Sequence, residues 1–88
     1  MNRKHKKTLA VIFADPLRLN ISWKAVESLL IGLGAVITER KGSRILVELN
    51  GVSATFHRPH PQKETKHYVV QHLRDFLRDA DIDVTDDG

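Results

Sequence analysis

The sequence predicts an α+β domain: a three-stranded antiparallel sheet with amphipathic helices packed on one face. Three observations predict it. Residues 44–49 and 52–57 largely alternate between apolar and polar, and Asn50-Gly51 separates the two runs. Asn-Gly is the preferred pair for a two-residue type I′ turn, because both positions take positive φ. Apolar residues recur at helical spacing on either side, at Trp23, Val26, Leu29, Leu30 and Leu33, and at Val69, Leu73, Phe76, Leu77 and Ala80. A meander with one apolar face needs cover, and two such helices supply it.

The chain has 88 residues, near the lower size at which a core holds without staples, and it reads as one domain. Residues 1–16 form a basic arm and an N-terminal helix, 21–82 the core and 83–88 an acidic tail. Residues 2–7 carry the cations of the arm, which either touch phosphate or are merely solvated. Leu9, Ile12 and Phe13 then fit one helical face, and Asp15-Pro16 stops that helix. A strand would also suit so short an apolar run; we read helix.

Ser22 is a good N-cap for the second helix, with Ile21 and Val26 placed to form a hydrophobic staple, and Gly34 ends it at C′. Residues 35–40 form a short strand, and Lys41-Gly42-Ser43 turns it into the hairpin. The Asn50-Gly51 turn sets the hairpin register. Leu49 faces Val52, Val47 faces Ala54, and Ile45 faces Phe56, all on one apolar side. Arg44 then lies opposite His57 on the other side, at the open end of the ladder. Pro59 and Pro61 end the strand, since neither can donate to a ladder. The last helix follows, capped by Thr65, and Asp81 onward reads as a frayed tail.

Composition narrows the chemistry. The chain has no cysteine, which excludes disulfides, thiolate catalysis and the usual zinc knuckles. No apolar run reaches membrane-spanning length, so we expect a cytoplasmic chain with no membrane partner. Residues 1–44 hold nine Lys/Arg against three Asp/Glu, and residues 45–88 hold five against eight. The basic part suits a polyanion.

His57, at the end of a predicted strand, is a candidate general base, since imidazole titrates near neutral pH. Arg44 and Arg58 are candidates for holding a phosphate and stabilising charge that develops on it. His60 is either a second acid–base group or an ordering residue between two prolines. Lys41, Ser43, Lys63 and Lys66 are further candidate phosphate contacts. His57 and His60 lack a nearby carboxylate and make a poor metal pair, so no metal and no cofactor is expected. His67 and His72 are expected to face solvent.

From Ile21 to Ile82 the chain resembles the HicA family of toxins. The resemblance rests on Val26-Glu-Ser-Leu-Leu30, Leu33-Gly34-Ala35, the Gly42-Ser43 turn, the hairpin, His60-Pro61 with Lys63-Glu64, and a terminal helix ending in Phe76-Leu77. It implies a fold similar to double-stranded-RNA-binding domains, α-β-β-β-α, with the first helix here as an addition. It also implies a metal-independent endoribonuclease acting on mRNA and neutralised by a HicB-like antitoxin. In that family the catalytic histidine directly follows the Gly-Ser pair; in this chain Arg44 stands there, and His57 faces it in the predicted register. Three classes of function therefore stay open: a ribonuclease toxin, a non-catalytic RNA-binding module, and a domain that binds only a protein partner.

Overall fold

Asn50 and Gly51 both adopt positive φ, 51° and 81°, and the chain reverses on them as a two-residue turn. The computed structural model describes residues 1–16, 21–59 and 64–82. In it the elements run α1 (Arg3–Ile12), α2 (Trp23–Gly32), β1 (Val36–Glu39), β2 (Arg44–Leu49), β3 (Val52–His57) and α3 (His67–Asp79). The sheet is antiparallel, in the order β1-β2-β3. The expected α+β architecture is what forms.

The β2–β3 register pairs Leu49 with Val52, Val47 with Ala54, Ile45 with Phe56 and Arg44 with His57. Period-two alternation then sorts the faces. Ile45, Val47, Leu49 and Phe56 are buried on the side covered by helices. The opposite side carries the rungs Val36–Glu48–Ser53, Thr38–Leu46–Thr55 and Arg44–His57. Phe56 is the aromatic hub of the covered side. Its ring centroid lies 6.4 Å from Trp23, 5.8 Å edge-on from Phe76 and 4.4 Å from His72. His72 is exposed, as expected, and its ring also packs on Phe56.

Ser22 caps α2, accepting from the N–H of Ala25 at 3.3 Å. At the other end Gly34, with φ +99°, takes the left-handed position. Its N–H reaches the carbonyl of Ile31, and that of Ala35 reaches Leu30, so the last carbonyls of the helix are satisfied. The same arrangement ends α3 without a glycine. Asp81 sits at φ +65°, and the N–H of Ile82 bonds the Leu77 carbonyl at 2.7 Å. Asp81 and Ile82 thus form a helix stop rather than the start of a frayed tail; residues 83–88 lie outside the described residues.

Two other expectations change. The basic segment before Leu9 is the first part of α1, because Asn2 caps it, accepting from the His5 N–H at 2.8 Å. Arginine and lysine are good helix formers, so a cap at Asn2 is enough to carry the helix through residues 3–8. Thr65 does not cap α3. The N-cap is Lys66, which contributes no side-chain bond, while Thr65 is 1% exposed. The backbone of Thr65 is held by its N–H to the Ile21 carbonyl, next to a bridge between Ser22 and Glu64, and this turns its side chain inward.

α1 packs against α2 and α3. Arg74 of α3 donates to the carbonyls of Ile12 and Ala14, closing the C-terminus of α1. Arg78 lies over the Phe13 ring, 5.4 Å from its centroid. His5 Nε2 meets Ser28 Oγ of α2 at 3.0 Å. Gly32 makes room for that imidazole: a Cβ there would come within 2.4 Å of it.

Asp81 offers a direct test of the helix stop. A non-glycine residue in the left-handed region is strained, and a carboxylate at a helix C-terminus opposes the dipole. Asp81→Gly should stabilise the fold by about 1 kcal/mol, raising the thermal midpoint by roughly 4–8 °C. A lowered midpoint would show that the Asp81 side chain supports the stop.

Candidate functional site

The open end of the β2–β3 ladder gathers the polar chemistry. Arg44 and His57 are paired across the strands, and both are exposed. The pairing continues past them, since the Arg58 N–H donates to the Ser43 carbonyl at 2.8 Å. On the other side the Arg40 N–H donates to the Arg44 carbonyl at 2.9 Å, closing the turn through Gly42 at φ +70°. Arg44 Nε bonds the Lys41 carbonyl at 3.3 Å, which holds the guanidinium against that turn. Arg40, Lys41 and Ser43 are exposed around it. One corner of the sheet thus presents several cations next to an imidazole.

Arg58 lies elsewhere. Successive residues of an extended chain point to opposite sides, so next to His57 the Arg58 side chain turns toward the helices. Its Nε and Nη2 grip both oxygens of Glu27 on α2, at 2.7 and 3.1 Å, and its Nη1 lies 3.1 Å from Glu39 of β1. Glu27 also accepts from Trp23 Nε1. The two carboxylates, Glu27 foremost, raise the pKa of Arg58 further above its usual value. Its charge is compensated within the fold, and it does not flank His57 on the open face as expected. A bidentate guanidinium–carboxylate pair has a fixed geometry, so this network ties α2 to both outer strands.

Between the end of β3 and the start of α3 lies a cleft of about 400 Å³. His57, Arg58, Pro59, Glu64, Thr65, Lys66, Tyr68 and Val69 line it. His57 therefore stands on two surfaces, the open sheet face and this cleft. Neither Thr65, read from the sequence only as a helix cap, nor Tyr68 was expected in the site. Tyr68 left a readable signal, an aromatic beside the apolar stripe of its helix; Thr65 left none. Lys66 is exposed at the N-cap of α3. His60 and Lys63 lie outside the described residues. Among the described residues no cluster of three His, Cys, Asp or Glu could hold a metal ion. No described helix is long and apolar enough to cross a membrane.

The ion-pair network is testable apart from any activity. Glu27→Gln keeps the shape and an acceptor for Trp23 but removes the charge facing Arg58. Hydrogen bonds to charged groups contribute about 1.5–3 kcal/mol, so the unfolding free energy read from a denaturant titration should fall by an amount in that range. In a double-mutant cycle with Arg58→Met, the two losses should be strongly non-additive. Additive losses would mean that the two side chains do not depend on each other.

Two of three comparisons with known proteins were negative: no curated protein and no solved structure matches the chain. The third was positive. The family model described as the HicA toxin of bacterial toxin–antitoxin matches residues 23–82, from the first residue of α2 to the residue that stops α3. The matched segment contains the sheet, the Arg44–His57 corner and the cleft, and leaves out α1. The chain belongs to the HicA family of toxins, the toxin component of bacterial toxin–antitoxin modules.

Proposed function

We propose that this toxin is an endoribonuclease acting on mRNA without a metal ion, with His57 as its proton acceptor and Arg44 as the cation at the phosphate. The observation that carries the reading is the Arg44–His57 pair, side by side and exposed at one corner of the sheet. Arg44 stands where the family resemblance puts a histidine after Gly42-Ser43. His57 lies directly across the ladder, so its imidazole addresses the same region from the neighbouring strand.

The reaction needs three things. His57 takes the proton from a ribose 2′-hydroxyl, whose oxygen attacks the adjacent phosphorus. The phosphorus–O5′ bond breaks, leaving a 2′,3′-cyclic phosphate, and the departing 5′-oxygen takes a proton from an acid. His60, three residues beyond His57, is our candidate donor. Arg44, with Lys41 and Ser43 at the turn, stabilises the negative charge that builds on the phosphate. Arg58 enters this reading as the residue that fixes the strand end beneath His57 rather than as a phosphate ligand.

A toxin of such a module has an antitoxin partner. We infer a HicB-like protein that covers Arg44 and His57 in the cytoplasm and so withholds the site from RNA. The second reading is a domain that binds RNA or its antitoxin without cutting. The absence of a histidine at position 44 favours it.

Cleavage of RNA by the purified protein in the presence of chelator decides between them. His57→Ala should lower the cleavage rate about 10²–10⁴-fold with the fold intact. Arg44→Ala should weaken both RNA affinity and rate, and Arg44→His should restore activity to His57→Ala. Wild-type cleavage and growth arrest by His57→Ala would rule out the relocated histidine.

A further inference from the structure

We propose that the cleft between β3 and α3 is a nucleotide subsite for single-stranded RNA, which takes a backbone phosphate at the start of α3 and stacks the adjoining base on Tyr68. The strand's identity rests on the ribonuclease reading above; the subsite rests on its own observations.

The first is the state of the helix end. α3 is a 13-residue helix whose N-cap, Lys66, makes no side-chain bond, and its first turn holds no acidic residue. The opening N–H groups of a helix have no partner within it, and with the helix dipole they favour an anion. Lys66 adds a formal positive charge at the same point.

The second observation is independent. Thr65, one residue before the cap, is 1% exposed, and its hydroxyl has no hydrogen-bond partner among the described residues. A buried hydroxyl without a partner costs stability, and each such group asks for an explanation. Thr65 stands in the wall of the cleft; its hydroxyl is closed to solvent in the free protein, and a rotation toward the cleft would bring it to a phosphate oxygen or a water carried with it.

Tyr68 supplies the third. It is 65% exposed despite its size, and it lines the same cleft. Exposed aromatics beside a cationic track are the usual platform for unpaired bases, because every base has a π-face. Glu64 is an acidic member of this lining, and Lys66 and the helix end oppose its charge. Arg58 is already occupied by Glu27 and Glu39. His57 shares the cleft, so a strand whose phosphate meets His57 continues directly onto Tyr68.

The test uses the full chain and a single-stranded oligoribonucleotide made uncleavable by 2′-O-methylation, with affinity read by fluorescence anisotropy at constant salt. Tyr68→Ala should weaken binding about tenfold. Thr65→Val, close to isosteric, should weaken it about fivefold while raising the thermal midpoint, since the unpartnered hydroxyl is gone. Inorganic phosphate should shift the amide resonances of residues 65–69 in the wild type and less in Thr65→Val. The same strand in a duplex should lose the dependence on Tyr68, because its bases are stacked away. If both variants bind the strand with wild-type affinity, the subsite is wrong, and cleavage by the wild type would leave the ribonuclease reading standing. Weakened binding by the variants of a wild type that never cuts RNA would sustain the subsite and remove the ribonuclease.

Discussion

A turn of two residues decides which way the two central strands face. Asn50 and Gly51 accept positive φ at little cost, and that conformation matches the right-handed twist of the paired strands. Because side chains alternate with period two, a slip of one residue would bury Arg44 and His57 and expose Ile45 and Phe56. No partial compromise exists between the two registers. The corner proposed for catalysis and the core that supports it are therefore set by the same two backbone angles.

Asn50 also joins this turn to the far end of the domain. Its side-chain amide donates to the Ala80 carbonyl at the C-cap of α3, at 2.8 Å. The Asp81–Ile82 stop closes the same helix end. At the opposite end of the hairpin, Glu27 of α2 holds Arg58. The two ends of β3 are thus tied to different helices, one through a neutral amide and one through charge. His57 sits between the ionic tie and the start of α3, on backbone whose position depends on both helices.

The register, the faces and the helical stripes were legible in the sequence because each depends on neighbours in the chain. Alternation, an Asn-Gly pair and 3.6-residue spacing carry that information locally. Arg58 was not legible: its place depends on Glu27 and Glu39, which lie 31 and 19 positions earlier and meet it only when the sheet has formed. Thr65 shows a different failure. Threonine before an apolar stripe is a good cap by pattern, but a backbone bond to Ile21 holds the residue and leaves its side chain to the interior. The helix at residues 3–8 could have been found, since Asn2 is a recognisable cap; the run of like charges outweighed it.

Counting charges over the chain suggested a basic half available to a polyanion. The fold divides those cations by what they touch. Arg58 faces two carboxylates, Arg74 two backbone carbonyls, and Arg78 the Phe13 ring and Asp75. Those three arginines hold helices in place, and replacing any of them disturbs packing before it disturbs recognition. Among the described residues Arg44 bonds a single backbone carbonyl, at 3.3 Å, and Arg40, Lys41 and Lys66 are exposed. Net charge is a poor guide to such a surface, because interactions with exposed charges weaken beyond about 10 Å at ordinary salt. On the proposed reading, an RNA strand would meet at close range only the local set: Arg44 across from His57 on the sheet, and Lys66 with the start of α3 in the cleft. His57 belongs to both surfaces, paired with Arg44 on the sheet and lining the cleft, which is why the proposed site and the proposed subsite adjoin there.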